Sequence, residues 1–213
     1  CGGSDVLIKI REGKMAGTSL VSIRDIKEIQ GVQLMDSDDI YIGAATTFSH
    51  ITADPVIQSR ISVLGEAVDQ VGGPQVRNIG TIGGNVCNGA VSADSAPTLF
   101  SLNAMLRIAD GTGGRMVPIQ DFYLGPGKVD LHQGDVLTHI VIPGKEYLGY
   151  HGYYIKYSMR NAMDIATLSC SVVSRIDPLK KVLEDVRITF GVAAPVPYRC
   201  AKTEEALEAA LAE

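Results

Sequence analysis

The stretch Gly72-Gly73-Pro74-Gln75-Val76-Arg77-Asn78-Ile79-Gly80-Thr81-Ile82-Gly83-Gly84-Asn85-Val86-Cys87-Asn88 sits inside a longer segment, Val71 to Pro97, where glycine and proline recur among small polar residues. A segment this long and this rich in glycine is not an incidental connection. Adjacent glycines let a backbone approach a bulky anion closely and turn consecutive N–H groups toward it. A second pair opens the chain, Gly2-Gly3-Ser4-Asp5, running into Val6-Leu7-Ile8, which reads as a strand. Neither cluster is G-x-x-x-x-G-K-[ST], and neither is G-x-G-x-x-G opening a helix after a strand, so both common nucleotide fingerprints are excluded. The anion is expected to be held by amides and by Ser, Thr and Asn side chains, with no lysine. A lone Gly-Gly is usually a tight turn. Two such clusters with polar flanks favour a diphosphate-bearing cofactor lying extended between loops, and the residues alone leave its identity open.

Outward from that stretch, short apolar runs at Val6 to Ile10, Leu20 to Ile23 and Ile40 to Ala44 read as strands, the last preceded by the turn-like Asp36-Ser37-Asp38-Asp39. Thr47 or Ser49 caps a short helix toward Ile51. Asp54-Pro55 followed by Val56, Ile57, Ile61, Leu64 and Val68 has helical spacing, with proline in the first turn. Thr98 to Leu106 is helical and then extended, and Asp110-Gly111-Thr112-Gly113-Gly114 is a hairpin turn. A loop is expected at Gly125-Pro126-Gly127, and the strand Val136 to Ile142 closes on Pro143-Gly144, a domain boundary. Gly152 to Tyr157, Ala166 to Ile176 and Val186 to Ala193 read as strands, with a turn at Asp177-Pro178-Leu179-Lys180-Lys181. Thr203-Glu204-Glu205 starts a helix that runs to the last residue. Strands and helices mix without a regular βαβ beat, which predicts an α+β fold.

Composition bounds the function. Of 213 residues, 46% are hydrophobic and 20% charged, an ordinary globular balance that supports a substantial core. Nineteen Lys and Arg against 24 Asp and Glu give a net charge of −5 with no basic run, so a nucleic-acid partner is not expected. No apolar stretch approaches the ~20 residues of a membrane span. Cys1, Cys87, Cys170 and Cys200 are far apart, and neither C-x-x-C nor a metal-spaced His occurs. This predicts a reduced, cytoplasmic protein with single thiols and no metal site of its own. His50, His132, His139 and His151 are scattered and read as surface or packing residues. The opening Cys1-Gly2-Gly3 carries no initiator Met or signal pattern, and the chain reads as cut at both ends.

The run Gly72 to Asn88 resembles the flavin-binding signature of the FAD-binding medium subunit in the xanthine dehydrogenase, or molybdenum hydroxylase, family. Ile42-Gly43-Ala44-Ala45-Thr46-Thr47 and Lys156-Tyr157-Ser158-Met159-Arg160-Asn161-Ala162-Met163-Asp164-Ile165-Ala166 resemble further motifs of that subunit. Gly2-Gly3-Ser4-Asp5 is similar to its A-G-G-T-D loop, with Cys1 and Ser4 in place of Ala and Thr. The motifs fall in the family's order and cover nearly the whole sequence.

The resemblance implies an FAD-binding domain over residues 1–143, two α+β lobes of the vanillyl-alcohol oxidase / p-cresol methylhydroxylase type, lacking its first strand. A truncated C-terminal flavoprotein domain would occupy 146–213. It implies FAD as cofactor and electrons arriving from iron–sulfur clusters on a small partner subunit. A molybdopterin centre on a large partner subunit would hydroxylate substrate, and NAD would be the usual acceptor. By motif position, Gly2, Gly3, Ser4 and Asp5 with Thr81, Gly83, Gly84 and Asn85 would hold the pyrophosphate and adjoining hydroxyls. Asn88 and Asp94 would add polar contacts. Val71, Gly72 and Leu137 would pack on adenine, Val6 and Cys87 would lie near the isoalloxazine, and Lys156 would approach from the second domain or stand solvated at a strand end. Arg160 and Asp164 form an ion pair or edge the nicotinamide channel. No single catalytic acid or base is expected, since the redox chemistry belongs to the flavin. Val71 replaces an aromatic found in some relatives, which weakens stacking. Two other readings compete: a self-sufficient flavin oxidoreductase on the same fold, and a non-catalytic docking module with empty glycine loops.

Overall fold

The computed structural model describes residues 1–177, 179–180 and 182–210. Its first element corrects the sequence reading: Val6–Arg11 is a helix, α1, not a strand. The Leu7 N–H bonds to the Gly3 carbonyl at 3.0 Å and the Lys9 N–H to Asp5 at 3.2 Å, while the Lys9 ammonium pairs with the Asp5 carboxylate at 2.7 Å. A short apolar run does not choose between helix and strand by itself. Here no strand edge pairs with it, so the intrasegment bonds decide. The run Leu20 to Ile23 likewise forms no strand and lies largely exposed.

The next elements build a sheet and its helical cover. Strands β1 (Val32–Leu34) and β2 (Ile40–Gly43) form a hairpin across the expected Asp-rich turn, where Asp38 has a positive φ of 63°. Helix α2 (Phe48–Ala53) is capped by Thr47, whose hydroxyl accepts the His50 N–H. Asp54 caps α3 (Pro55–Arg60), accepting the N–H groups of Val56 and Ile57. The single helix expected from Pro55 to Val68 is in fact broken at Ile61 (φ −142°, ψ 52°), and α4 (Ser62–Asp69) starts afresh. That break lets Ile57 and Ile61 as well as Val63, Leu64, Ala67 and Val68 enter one core, which a straight helix would spread around its circumference.

Helices α5 (Pro74–Ile79), α6 (Ile82–Asn88) and α7 (Ser95–Ser101) occupy the glycine-rich segment. They are followed by β3 (Met105–Ala109), β4 (Arg115–Pro118), α8 (Ile119–Phe122), the small hairpin β5 (Tyr123–Gly125) and β6 (Lys128–Val129), and β7 (Val136–Ile142). The first sheet has the antiparallel order β1-β2-β7-β3-β4. Alternation places Ile40, Ile42, Leu106, Ile108, Ile140 and Ile142 on the face the helices cover, each fully buried.

A second antiparallel sheet, β11-β10-β9-β8, is made of β8 (His151–Tyr157), β9 (Leu168–Asp177), β10 (Val182–Gly191) and β11 (Tyr198–Arg199), with α9 (Ala201–Ala210) against β10. The turn between β9 and β10 has the Asp177 carboxylate accepting the N–H groups of Leu179 and Lys180 at 2.8 and 3.1 Å. Pro178 and Lys181 of that turn, and residues 211–213 of the expected tail helix, lie outside the described residues.

Helix α7 packs on β9 and β10 of the second sheet and on α6, which in turn packs on β7 of the first. All seven of its residues are buried, the polar Ser95, Thr98 and Ser101 among them. The Ser101 hydroxyl bonds to the Thr189 hydroxyl at 2.9 Å, and small side chains here let the sheet approach the helix closely. Arg187 closes the same interface. Its guanidinium meets Glu146 at 2.9 Å and Asp185 at 2.8 Å and donates to the Ser101 carbonyl at 3.3 Å. Every hydrogen of that buried cation thus finds a nearby acceptor or ring, Tyr150 lying 4.5 Å below it.

Candidate functional site

The two glycine clusters meet. The opening loop lies against the start of α6: a Cβ on Gly2 would stand 2.6 Å from the Ile79 carbonyl oxygen and 3.0 Å from the Gly80 Cα, so only glycine allows the approach. The Cys1 thiol reaches the Thr81 hydroxyl at 3.0 Å. Between loop and helix lies a cavity of ≈ 370 Å³, and every residue lining it falls between Cys1 and Asn88. Of the sixteen positions implied by the family motifs, Gly2, Gly3, Ser4, Asp5, Val6, Val71, Thr81, Gly84, Asn85, Cys87 and Asn88 line this cavity.

Its donors are on the opening loop. Among the described residues no acceptor receives the backbone N–H of Gly3, Ser4, Asp5 or Val6, because these groups precede the first bonded turn of α1. Gly3 has a φ of 78°, which turns successive amides to one side. The start of α6 behaves differently. Ile82 donates to the Thr46 carbonyl and Gly83 to the Ala44 carbonyl, both at 3.0 Å, and Gly84 to the Thr81 hydroxyl at 3.2 Å. These amides are already used, so the expected nest at Gly83 and Gly84 is not where the free donors lie.

The two glycines of that pair therefore have separate reasons. A Cβ on Gly83 would come within 2.5 Å of the Ala44 Cβ and 2.6 Å of its carbonyl oxygen; Gly83 is buried and lets α6 dock on the turn after β2. This also explains Ile42 to Thr47: the turn supplies the two carbonyls that hold α6. A Cβ on Gly84 would meet only the Thr81 hydroxyl, at 3.0 Å, and Gly84 stands on the cavity wall.

Five expected residues lie off the cavity. Gly72 (φ 50°) forms the turn behind Val71. Leu137 sits in the core of β7 opposite Ile108, not on the cavity wall. Gly83 is accounted for above. Asp94 and Lys156 form a buried ion pair at 2.9 Å, their side chains 7% and 6% exposed, so Lys156 is not a solvated strand-end lysine. The other Asp94 oxygen accepts the Tyr154 hydroxyl at 2.8 Å, and Lys156 also donates to the Gln70 carbonyl at 2.9 Å. Burial raises the Asp94 carboxyl above its ordinary value, and Lys156 and Tyr154 pull it back. Arg160 and Asp164 make an exposed ion pair at 3.1 Å.

The cavity is also lined by residues given no cofactor contact in the sequence reading: Cys1, Lys9, Met15, Phe48, Val76 and Gly80. Lys9 corrects the expectation of a lysine-free site. Its ammonium bonds to the Asn88 side chain at 3.2 Å, and its i,i+4 spacing from Asp5 becomes visible once Val6–Arg11 is a helix. Burial pushes the Cys87 thiol up to about 12, so it faces the cavity as a neutral thiol.

A flexible dinucleotide suits these features. Four free amides answer a pyrophosphate, the wall beside them lacks a Cβ at Gly84, and Val6, Val71 and Val76 give apolar surface for a ring. Residues 1–145 match the model of the FAD binding domain in molybdopterin dehydrogenase, and residues 153–211 that of the CO dehydrogenase flavoprotein C-terminal domain. The chain is 40% identical over 206 residues to the putative xanthine dehydrogenase FAD-binding subunit XdhB of Escherichia coli (strain K12), covering 96% of this chain and 69% of that protein. It is 29% identical over 180 residues to the carbon monoxide dehydrogenase medium chain of Hydrogenophaga pseudoflava, covering 84% and 61%. A solved structure of carbon monoxide dehydrogenase from Hydrogenophaga pseudoflava superposes with a TM-score of 0.90 at 29% identity, covering 97% of this chain and 70% of that one. The glycine cradle, the order of the elements and these matches agree: the chain belongs to the FAD-binding subunit family of the xanthine and carbon monoxide dehydrogenase type of molybdenum hydroxylase.

Proposed function

We propose that this chain is the flavin module of a molybdenum hydroxylase. It would work with an iron–sulfur small subunit and a molybdopterin large subunit in the cytoplasm, and pass their electrons to NAD. The observation that carries the reading is the row of amides from Gly3 to Val6 that have no acceptor among the described residues, on residues that line the cavity with Gly84. FAD, when bound, supplies the step between one-electron partners and a hydride acceptor. The protein's share is placement. The amides of Gly3 to Val6 would hold the pyrophosphate, with Thr81, Asn85 and Asn88 adding neutral hydrogen bonds. Lys9 would offset part of the phosphate charge. Val71 and Val76 would seat the adenine end, and the neutral Cys87 thiol would leave the ring without a competing nucleophile. Residues 1 to about 143 would form the two-lobed FAD-binding domain, of the vanillyl-alcohol oxidase type, and residues from about 146 the C-terminal flavoprotein domain.

The test is spectroscopic. The purified protein is expected to be yellow and to bleach with dithionite, and Gly84→Val is expected to lose the flavin while keeping the parent circular dichroism spectrum. Stoichiometric FAD retained by that variant would sink the assignment of the cavity. The acceptor is tested separately: the assembled complex should reduce a dye with NADH, and reduction by small substrates but not by NADH would remove NAD from the proposal.

A further inference from the structure

A second cavity, of ≈ 460 Å³, opens on the face of the first sheet that points away from its helices, and it shares no lining residue with the first. Pairing sets a row of side chains across four strands there. Gly43 of β2 lies opposite His139 of β7, His139 opposite Arg107 of β3, and Arg107 opposite Met116 of β4. Their chain neighbours Ile42, Ile140 and Leu106 are fully buried on the other face. A Cβ on Gly43 would collide with the Ile29 carbonyl, so glycine lets the turn Lys27–Ile29 lie on the sheet beside His139 and wall the cavity. Between Arg107 and Ile108 the register with β7 shifts, which makes Thr138 the extra residue of a bulge; its hydroxyl donates to the Arg107 carbonyl at 2.9 Å. The bulge ends the regular pairing just beyond Arg107 and His139 and leaves those two directly opposed on the outer face.

That placement sets two basic side chains against each other, and like charges directly opposite on a sheet are unfavourable. Burial, and after it the Arg107 charge, hold the His139 imidazole below the ordinary histidine value, against the Glu28 carbonyl that accepts from the ring. Its Nδ1 is buried with no hydrogen-bond partner among the described residues. The surrounding elements offer no counter-charge. Tyr41 of β2 meets the ring edge-on at 5.9 Å, and Lys27 and Glu28 stand exposed on their turn. Arg115 of β4, also on the cavity wall, is matched by Asp135 at 2.7 Å and Asp130 at 3.2 Å, whereas Arg107 pairs with no carboxylate among the described residues. We propose that this cavity binds the phosphate group of a small phosphomonoester, its oxygens shared between Arg107 and His139. A planar carboxylate is satisfied by one guanidinium fork, while the three free oxygens of a phosphate ester reach both bases at once. The volume falls in the range of roughly 300–1,000 Å³ usual for small-molecule sites, which leaves room for an organic body against Ile29, Ala109 and Met116.

The experiment uses the FAD-saturated protein and follows the His139 ring by NMR, its signal assigned with His139→Gln, so that the second cavity alone is reported. Glycerol 3-phosphate, inorganic phosphate and chloride are titrated separately at constant ionic strength. The ester is expected to give a saturable response and to raise the His139 midpoint by about one pH unit, equivalent to about tenfold in proton affinity. Arg107→Gln, at an exposed position, is expected to raise the midpoint without ligand, because a like charge is gone, and to weaken the ester by at least about tenfold. Glu28→Gln should tighten it, since that carboxylate repels an anion. No saturable response, an equal response to chloride, or an undiminished one in Arg107→Gln overturns the proposal, as does weaker binding in Glu28→Gln, which would mark a cationic ligand. Inorganic phosphate bound as tightly as glycerol 3-phosphate overturns the assignment to an ester.

Discussion

Changing Gly83 and Gly84 to alanine one at a time separates packing from binding on adjacent residues. At Gly83 the new methyl would lie 2.5 Å from the Ala44 Cβ and 2.8 Å from its Cα, about 1 Å inside ordinary contact, and the nearest atoms belong to backbone or to a Cβ that cannot rotate away. Helix α6 must recede, which lengthens the bonds from Ile82 to Thr46 and from Gly83 to Ala44. Overpacking costs about 1–3 kcal/mol and each weakened backbone bond about 1 kcal/mol, against a helix-propensity gain of at most about 1 kcal/mol. The net loss is about 3 kcal/mol, which lowers the melting temperature of a chain this size by about 6–12 °C. At Gly84 the methyl meets only the Thr81 hydroxyl, at 3.0 Å, and can at most loosen that cap of α6, a cost of about 1 kcal/mol that the gain in helix propensity offsets, so stability should stay within about 1 kcal/mol of the parent. That methyl occupies the cavity wall, and FAD affinity should fall by at least about tenfold, the equivalent of about 1.4 kcal/mol. Scanning calorimetry of the flavin-free proteins and fluorescence titration with FAD measure the two effects. A parent-like melting temperature for Gly83→Ala, or parent-like affinity for Gly84→Ala, would refute the division of labour.

Two further outcomes follow from side chains away from the cavity. The Tyr123 hydroxyl is buried without a hydrogen-bond partner among the described residues, so Tyr123→Phe should be neutral or stabilising by up to about 1–3 kcal/mol; a loss of stability in urea unfolding would show that the hydroxyl does have a partner. The Asp135 carboxyl accepts the His132 N–H at 3.0 Å and meets Arg115 at 2.7 Å, and these hold it below the ordinary carboxylate range. Its folded value being depressed, the stability it contributes is present above the unfolded value near ~3.9 and is lost as pH falls through the folded one. Carboxyl carbon NMR should place its midpoint below that of a free aspartate, and an ordinary midpoint would deny the pairing.

Much of the site was legible in the sequence because its chemistry is local. Gly2-Gly3-Ser4-Asp5 and the run Thr81 to Asn88 announce close backbone approach and neutral polar groups, and the first loop lines the same cavity as Thr81, Gly84, Asn85, Cys87 and Asn88 of the second. The short apolar run Ile40 to Ala44 and the run Val136 to Ile142 likewise marked two strands, which pair with each other. Val6 to Ile10 was misread because five apolar-rich residues satisfy a strand and a helix equally, and only the absence of a partner strand decides between them. The reading of Lys9 failed with it.

Tertiary structure alone decided which donors are free. Gly83 and Gly84 are chemically identical in the sequence, yet one N–H is taken by a carbonyl of the turn after β2 and one Cα faces the cavity. Asp94 and Lys156, both expected to be polar cofactor contacts, are 62 residues apart, and nothing local foretells that they would pair with each other and with Tyr154. The sequence by itself determined where the backbone could come close and what kind of ligand would be welcome there. The packing of α6 on the first sheet and of β8 on the loop after it determined which of those groups remain available. Hydrogen bonds and burial are settled between segments far apart along the chain, and local pattern carries no record of them.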